Sequence, residues 1–303
     1  MRGTKSLIGL SALVLSGCPD PETYNNYNNY NNQPLCDIPL QQQEVMVQQA
    51  FANQYGTLGW DVMEGSYATS EDLEIILKEI ASIENVHGKY WNIDGGRADG
   101  FGAFTFPANT IIFHEDSARM SYAAGKVLMF DIITGLPEEE FRWKLQQEVF
   151  NIQFTPLGPA GYDSSSIDND EATREYSLSA LAGIAAHEAS HIYNNDAEER
   201  ICLTFQTGNP YLVAAFGYEQ EKQADITAAN FIADAYLQNP DGPLQPFGMI
   251  LTMEILQSME NITGLSLGYP SAAQRMANVR QVFAERGIEV QSVYDILGSY
   301  DQW

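Results

Sequence analysis

Basic residues are scarce in this chain. Against 40 Asp and Glu stand only 15 Lys and Arg, for a net charge of −25. A surface that acidic repels phosphate backbones and anionic headgroups, so nucleic acid is excluded as a direct partner. The same charge also favours solubility. Beyond the first residues there are no long apolar runs, which leaves no later stretch able to span a bilayer. Repeats at solenoid or propeller periods are missing as well. Cysteine is limited to Cys18, Cys36 and Cys202, and histidine to four positions. What remains is 303 residues, 45% of them hydrophobic, enough for one large domain or two small ones.

The start of the chain carries Arg2 and Lys5, then a short apolar run from Leu7 to Leu15. Leu15-Ser16-Gly17-Cys18 follows and resembles the lipobox of bacterial lipoproteins. The resemblance implies a signal peptide over residues 1–17, cleavage before Cys18 and lipidation of its thiol. The expectation is therefore a cell-envelope protein, attached to the membrane through Cys18, with its domain on the periplasmic or outer side. Residues 18–35 read as a tether, because the Tyr-Asn-Asn repeats of residues 24–32 hold no aliphatic side chain to bury. Globular sequence runs from 36 to 303. In an oxidising compartment Cys36 and Cys202 form an even pair, open either to a disulfide or to two free thiols.

Periodicity predicts helices near 40–54 and 71–84, the second with Ser70 as N-cap. Glycines punctuate residues 86–135, where Thr110-Ile111-Ile112-Phe113 and Val127-Leu128-Met129-Phe130 read as strands. From about 170 the pattern is helical. Sheet first and helices after predicts an α+β fold, mostly helical with a small sheet.

His187-Glu188-Ala189-Ser190-His191 carries the chemistry. Histidines at i and i+4 share one helix face and can bind a single metal ion, and the glutamate between them is placed to act as general base on an attacking water. Leu178, Leu181, Ala182, Ala185, Ala189 and Ile192 form an apolar stripe on the same helix. At about 100° per residue the two histidines fall opposite that stripe, towards a cleft or a second layer. Zinc sites of this kind take a third protein ligand and leave one position open. A third histidine six residues on is absent, since Ala197 stands there. The strongest candidate is Glu221 in Glu221-Lys222-Gln223-Ala224-Asp225. Extending the apolar face Ala228, Ile232, Ala235 backwards reaches Asp225 and Glu221, so both carboxylates point to the buried side. Glu221 would bind zinc and Asp225 would hold the ring N–H of His187. Glu198, Glu199 and Glu219 are rivals for the third ligand, and His87 and His114 read as structural.

These segments resemble the M48-type gluzincin metallopeptidases. His187 to Asp196 is similar to that family's HExxH segment, and Glu221 to Asp225 to its ExxAD element. Gly268-Tyr269-Pro270-Ser271-Ala272-Ala273-Gln274-Arg275-Met276 resembles a third element, and Phe101 to Phe113 more loosely the strand before the active helix. The resemblance implies a zincin-like domain with Zn2+ bound by His187, His191 and Glu221. Tyr269 stands where the family usually has a histidine that steadies the tetrahedral intermediate, and its hydroxyl can also donate to an oxyanion. Independently, Ser271 and Gln274 read as a capping box, which puts Arg275 in the first turn of a helix, either in an ion pair or beside the oxyanion.

The expectation is an endopeptidase acting on peptides or unfolded protein, with the substrate pairing with an edge strand near 109–113. The competing reading is an envelope chaperone or scaffold that keeps a structural zinc site and turns over little.

Overall fold

The computed structural model describes residues 39, 41–42, 45, 75–76, 78–80, 87–91, 103–106, 110–135, 137–154, 171–207, 216–264, 270–290 and 292–293. Cys18, Cys36, Tyr269, the tether and most of the two early helices lie outside them. Within those two predicted helices, residues 41, 42, 45, 75, 76, 78 and 79 are helical.

Among the described residues, three strands come after those helical positions: β1 (His87–Trp91), β2 (Ala103–Phe106) and β3 (Thr110–His114). Seven helices follow: α1 (Glu115–Thr134), α2 (Glu138–Phe154), α3 (Glu171–Tyr193), α4 (Asp196–Thr207), α5 (Tyr218–Gln238), α6 (Pro246–Thr263) and α7 (Ala272–Glu285). The sheet order is β1-β3-β2, with β1 parallel and β2 antiparallel to β3.

The α+β expectation is overturned. Among the described residues every long element is a helix, in keeping with the mostly helical part of that expectation, and helices supply nearly all of the core. Among the described residues strand is limited to runs of four or five residues, too small to form a layer of their own. Val127 to Phe130, expected as a strand, lies inside α1, where Val127 and Leu128 are fully buried. A four-residue apolar run has the same composition in a buried strand and a buried helix, and its length could not separate them.

Local signals explain the helix ends. Glu138, Glu139 and Glu140 fill the first turn of α2, where carboxylates meet the positive end of the helix dipole. Pro246 opens α6, and Gly264 closes it in the left-handed conformation at φ 67°. At the start of α7 the Ser271 hydroxyl accepts from the Gln274 amide, and the Gln274 side chain accepts from the Ser271 N–H, as the capping box predicts.

Helix α3 is the axis of the molecule, packed by α1, α6, α5, α4 and β2. The expected division into an apolar stripe and an open histidine face does not hold, because residues 179–191 are buried without interruption. Small residues let its neighbours come close. A Cβ on Gly248 of α6 would lie 2.1 Å from the Ser179 carbonyl oxygen, and one on Gly125 of α1 would lie 2.7 Å from the Thr173 carbonyl oxygen. Both positions admit only glycine at this spacing.

Candidate metal centre

Helix α3 carries His187 and His191 one turn apart, and α5 crosses beside them with Glu221 and Asp225, also one turn apart. His187 Nε2 lies 3.3 Å from Glu221 Oε2, and His191 Nε2 lies 3.7 Å from Glu221 Oε1. The two Nε2 atoms are 3.2 Å apart. One ligand atom from each of the three residues falls within 4.8 Å of the others. Among the described residues this is the group of side chains that could hold a metal ion.

The far side of each ring is also committed. His187 Nδ1 lies 2.9 Å from Asp225 Oδ1, and His191 Nδ1 lies 2.8 Å from Asp196 Oδ2. An Nδ1–H donating to a carboxylate leaves the Nε2 lone pair free, so both imidazoles turn their ligating nitrogens towards Glu221. Phe216 stacks on the His191 ring, with centroids 4.0 Å apart and planes 13° from parallel.

Arg275 on α7 closes the centre. Its Nε donates to Asp225 Oδ2 at 2.9 Å and its Nη2 to Asp225 Oδ1 at 2.8 Å, a two-pronged pair in which Asp225 is fully buried. Arg275 Nη1 is 3.6 Å from Glu221, and Nη2 lies within 3.3 Å of both His187 ring nitrogens. Of the two roles open to Arg275, the geometry displays the ion pair.

The electrostatics follow from this packing. Burial and the Arg275 charge both oppose protonation of His187, but its hydrogen bonds to Asp225 and Glu221 outweigh them and push its pKa up to about 10. Burial opposes ionisation of Glu221, yet the His187 hydrogen bond and the surrounding cations bring it down to about 2. Asp225 is likewise lowered against its burial, chiefly by Arg275. Glu188 moves the other way: burial raises its pKa, partly offset by the two histidines. Its carboxylate is held by Thr105 of β2, whose fully buried hydroxyl lies 2.9 Å from Glu188 Oε2 and 2.6 Å from the Glu188 carbonyl oxygen.

Five of the residues singled out from the sequence thus come together: His187, Glu188, His191, Glu221 and Asp225, with Arg275 beside them. The rivals do not join. Glu198 and Glu219 are exposed, and Glu199 accepts from Gln220 at 2.9 Å. His87 and His114 belong to β1 and β3. Cys202 is disulfide-bonded, to a partner outside the described residues. Three contributors escaped the sequence reading: Thr105, Asp196 and Phe216. Asp196 stands five positions after His191, where a continuing helix would turn it away from the ring. The helix does not continue, because Asn195 adopts φ 62° and the chain turns before α4 begins. An Asn-Asn pair just before an acid was the available signal.

The donor set suits a divalent transition ion. Two imidazole nitrogens and one carboxylate oxygen converge, and nothing in the three side chains supplies a fourth ligand, so a coordination position is left open.

Comparison with known proteins adds one match. Residues 137–292 are similar to the family described as Peptidase U49, a stretch that includes α2 to α7 and the three candidate ligands. U49 is distinct from the M48-type gluzincins, so the motif resemblance named the peptidase class but not the family that matches. No curated protein matches the chain.

Proposed function

The chain belongs to the peptidase U49 family, and from that premise we propose that it is a zinc-dependent endopeptidase with Glu188 as its general base. The observation that carries the reading is the convergence of His187 Nε2, His191 Nε2 and Glu221 on one point, with Glu188 on the next residue of the same helix. Zn2+ is the ion favoured by two imidazoles, one carboxylate and an open position. When bound, it supplies Lewis acidity to the scissile carbonyl and lowers the pKa of the attacking water.

The remaining steps are assigned to the chain. Glu188 takes the proton of the attacking water and delivers it to the leaving amine. Burial raises its pKa, which makes its carboxylate a stronger proton acceptor. Thr105 fixes the orientation of its carboxylate through the hydroxyl bond. The Tyr269 hydroxyl donates to the developing oxyanion, while Arg275 holds Asp225 and through it the His187 ring.

The expected docking strand needs correction. Residues 110–114 form β3, the central strand, whose two sides are taken by β1 and β2. An extended substrate cannot add to it. The strand beside α3 at the end of the sheet is β2, which carries Thr105, and we assign peptide pairing to that edge.

The substrate is a peptide or an unfolded protein, and the setting is the bacterial envelope, with the chain anchored through lipidated Cys18. None of the described helices is long and apolar enough to cross a membrane. The test of mechanism is Glu188→Gln, assayed beside wild type on an unfolded protein with zinc content measured in both. Zinc should be retained and hydrolysis should fall by roughly 10²- to 10⁴-fold. Tyr269→Phe should lose about 10- to 10³-fold. Wild-type cleavage surviving in Glu188→Gln rules the mechanism out. Full zinc without cleavage of any substrate would point instead to the chaperone or scaffold.

A further inference from the structure

The two histidines of the centre are held by carboxylates in different electrical states. Asp225, behind His187, gives both oxygens to the Arg275 guanidinium, so much of its charge is already compensated before the imidazole is reached. Asp196, behind His191, has no such competitor: among the described residues its ion-pair partner is the imidazole alone, at 2.8 Å. It is buried, at 7% exposure, so water compensates little of its charge. It sits in the first turn of α4. The turn at Asn195 is what brings it there. The Asn195 N–H bonds the Ile192 carbonyl at 3.0 Å, and the Asn195 carbonyl accepts from the Glu199 N–H at 3.2 Å, so only Asn194 and Asn195 separate α3 from α4.

We infer that Asp196 is a positioning residue of the metal centre, and that it tunes the affinity of the site through His191 more strongly than Asp225 does through His187. An uncompensated carboxylate accepting the Nδ1–H pushes electron density onto Nε2, strengthens its donation to a cation and pins the tautomer that presents it. Phe216 restricts the ring's remaining freedom by stacking on its face. Asp225 has a different main task. It neutralises Arg275, which would otherwise be a buried cation against His187.

The inference rests on the metal-centre reading above, and the test separates the two. Full-length protein is stripped of metal, and zinc affinity is measured by competition with a chromophoric chelator. Wild type, Asp196→Asn, Asp196→Ala and Asp225→Asn are compared, and thermal melting of each metal-free form is followed in parallel. Asp196→Asn keeps the shape and an acceptor oxygen but loses the charge. It should weaken zinc binding about 10-fold, and Asp196→Ala up to about 100-fold, with metal-free melting close to wild type. Asp225→Asn should chiefly lower metal-free melting. In the cobalt-substituted protein, Asp196→Asn should shift the ligand-field absorption, a signature that a role confined to starting α4 would not move. If the alanine variant fails to fold, the asparagine variant and its cobalt spectrum decide. Wild-type zinc affinity in Asp196→Asn with an unchanged cobalt spectrum overturns the assignment. So does a fall in metal-free melting with affinity intact, which would make Asp196 a helix-start residue only. A wild-type protein that takes up no zinc sinks the metal-centre reading, and this inference with it.

Discussion

His187 is the residue whose surroundings conflict most. A buried cation, Arg275, lies against a ring that two carboxylates nevertheless pull towards protonation, to a pKa of about 10. The sign of the resulting pH dependence is fixed. In the metal-free protein the folded pKa lies above the ordinary 6.5, so the stability from this group is complete below pH 6.5 and is lost as pH rises through about 10. Zinc needs the neutral ring, so it competes with that proton, and affinity should fall steadily as pH is lowered from 8 to 5. Chelator competition across the range measures the slope, and a flat profile would mean that His187 is not a ligand. Arg275 has its own test. Arg275→Met removes the cation and leaves Asp225 buried with only the imidazole beside it, at a cost of about 3–5 kcal/mol. Denaturant unfolding of the metal-free variant should show that loss, and a change under 1 kcal/mol would contradict the buried pair.

At the scale of elements, α3 is positioned by how closely its neighbours approach. Gly248→Ala forces a methyl against the Ser179 carbonyl, 2.1 Å away, so α6 must shift off α3. Overpacking of this kind costs roughly 1–3 kcal/mol, more where backbone stands in the way, and should appear as a lower denaturation midpoint with an unchanged slope. The interface of α1 and α2 holds a second set of buried charges. Lys144 Nζ pairs with Asp131 at 2.6 Å, and Lys126 faces Glu148. Burial raises Glu148 from 4.5 to about 7, with Lys126 pulling the other way. Its folded pKa lies above the unfolded one, so the protonated form is the compatible one and stability is lost as pH rises from about 4.5 through about 7. Glu148→Gln should be the more stable protein at pH 8, by about 3 kcal/mol at most, and should match wild type near pH 4. Melting of both proteins at the two pH values reads the difference.

For the whole molecule, the predictions concern attachment and cross-linking. Cys18→Ser should release the protein into the soluble fraction or leave it unprocessed, and unchanged membrane partition in a fractionation experiment would remove the anchor. Cys202 sits on α4, directly after the turn that carries Asp196, and it is disulfide-bonded. If Cys18 carries lipid, as proposed, Cys36 is the remaining candidate for the partner of Cys202. Thiol titration of denatured, unreduced mature protein should then find no free cysteine, and Cys36→Ser should expose one. That variant should lose roughly 2–5 kcal/mol of stability.

The metal centre was legible in the sequence where its geometry is local or its cost is plain. Residues at i and i+4 of one helix must share a face, which placed His187 with His191, and Glu221 with Asp225. Two acids on the buried side of α5 demanded partners, which pointed across to the histidines. The capping box at Ser271 is local in the same way. The mostly helical character was legible from about residue 170 onward, but the helix over 115–134 was not, because an apolar run such as Val127 to Phe130 is buried in either conformation and only its neighbours decide. Nor was the central place of β3, which depends on a parallel partner from residues 87–91. Thr105 reaches Glu188 across 83 positions of sequence, and nothing local marks a strand hydroxyl as facing a helix. Asp196 lies close in sequence, but one residue in a left-handed conformation broke the helix and changed what it faces. Spacing constrains side chains only while the chain keeps a single direction. Wherever the chain turns, or two distant segments meet, packing alone selects the contact.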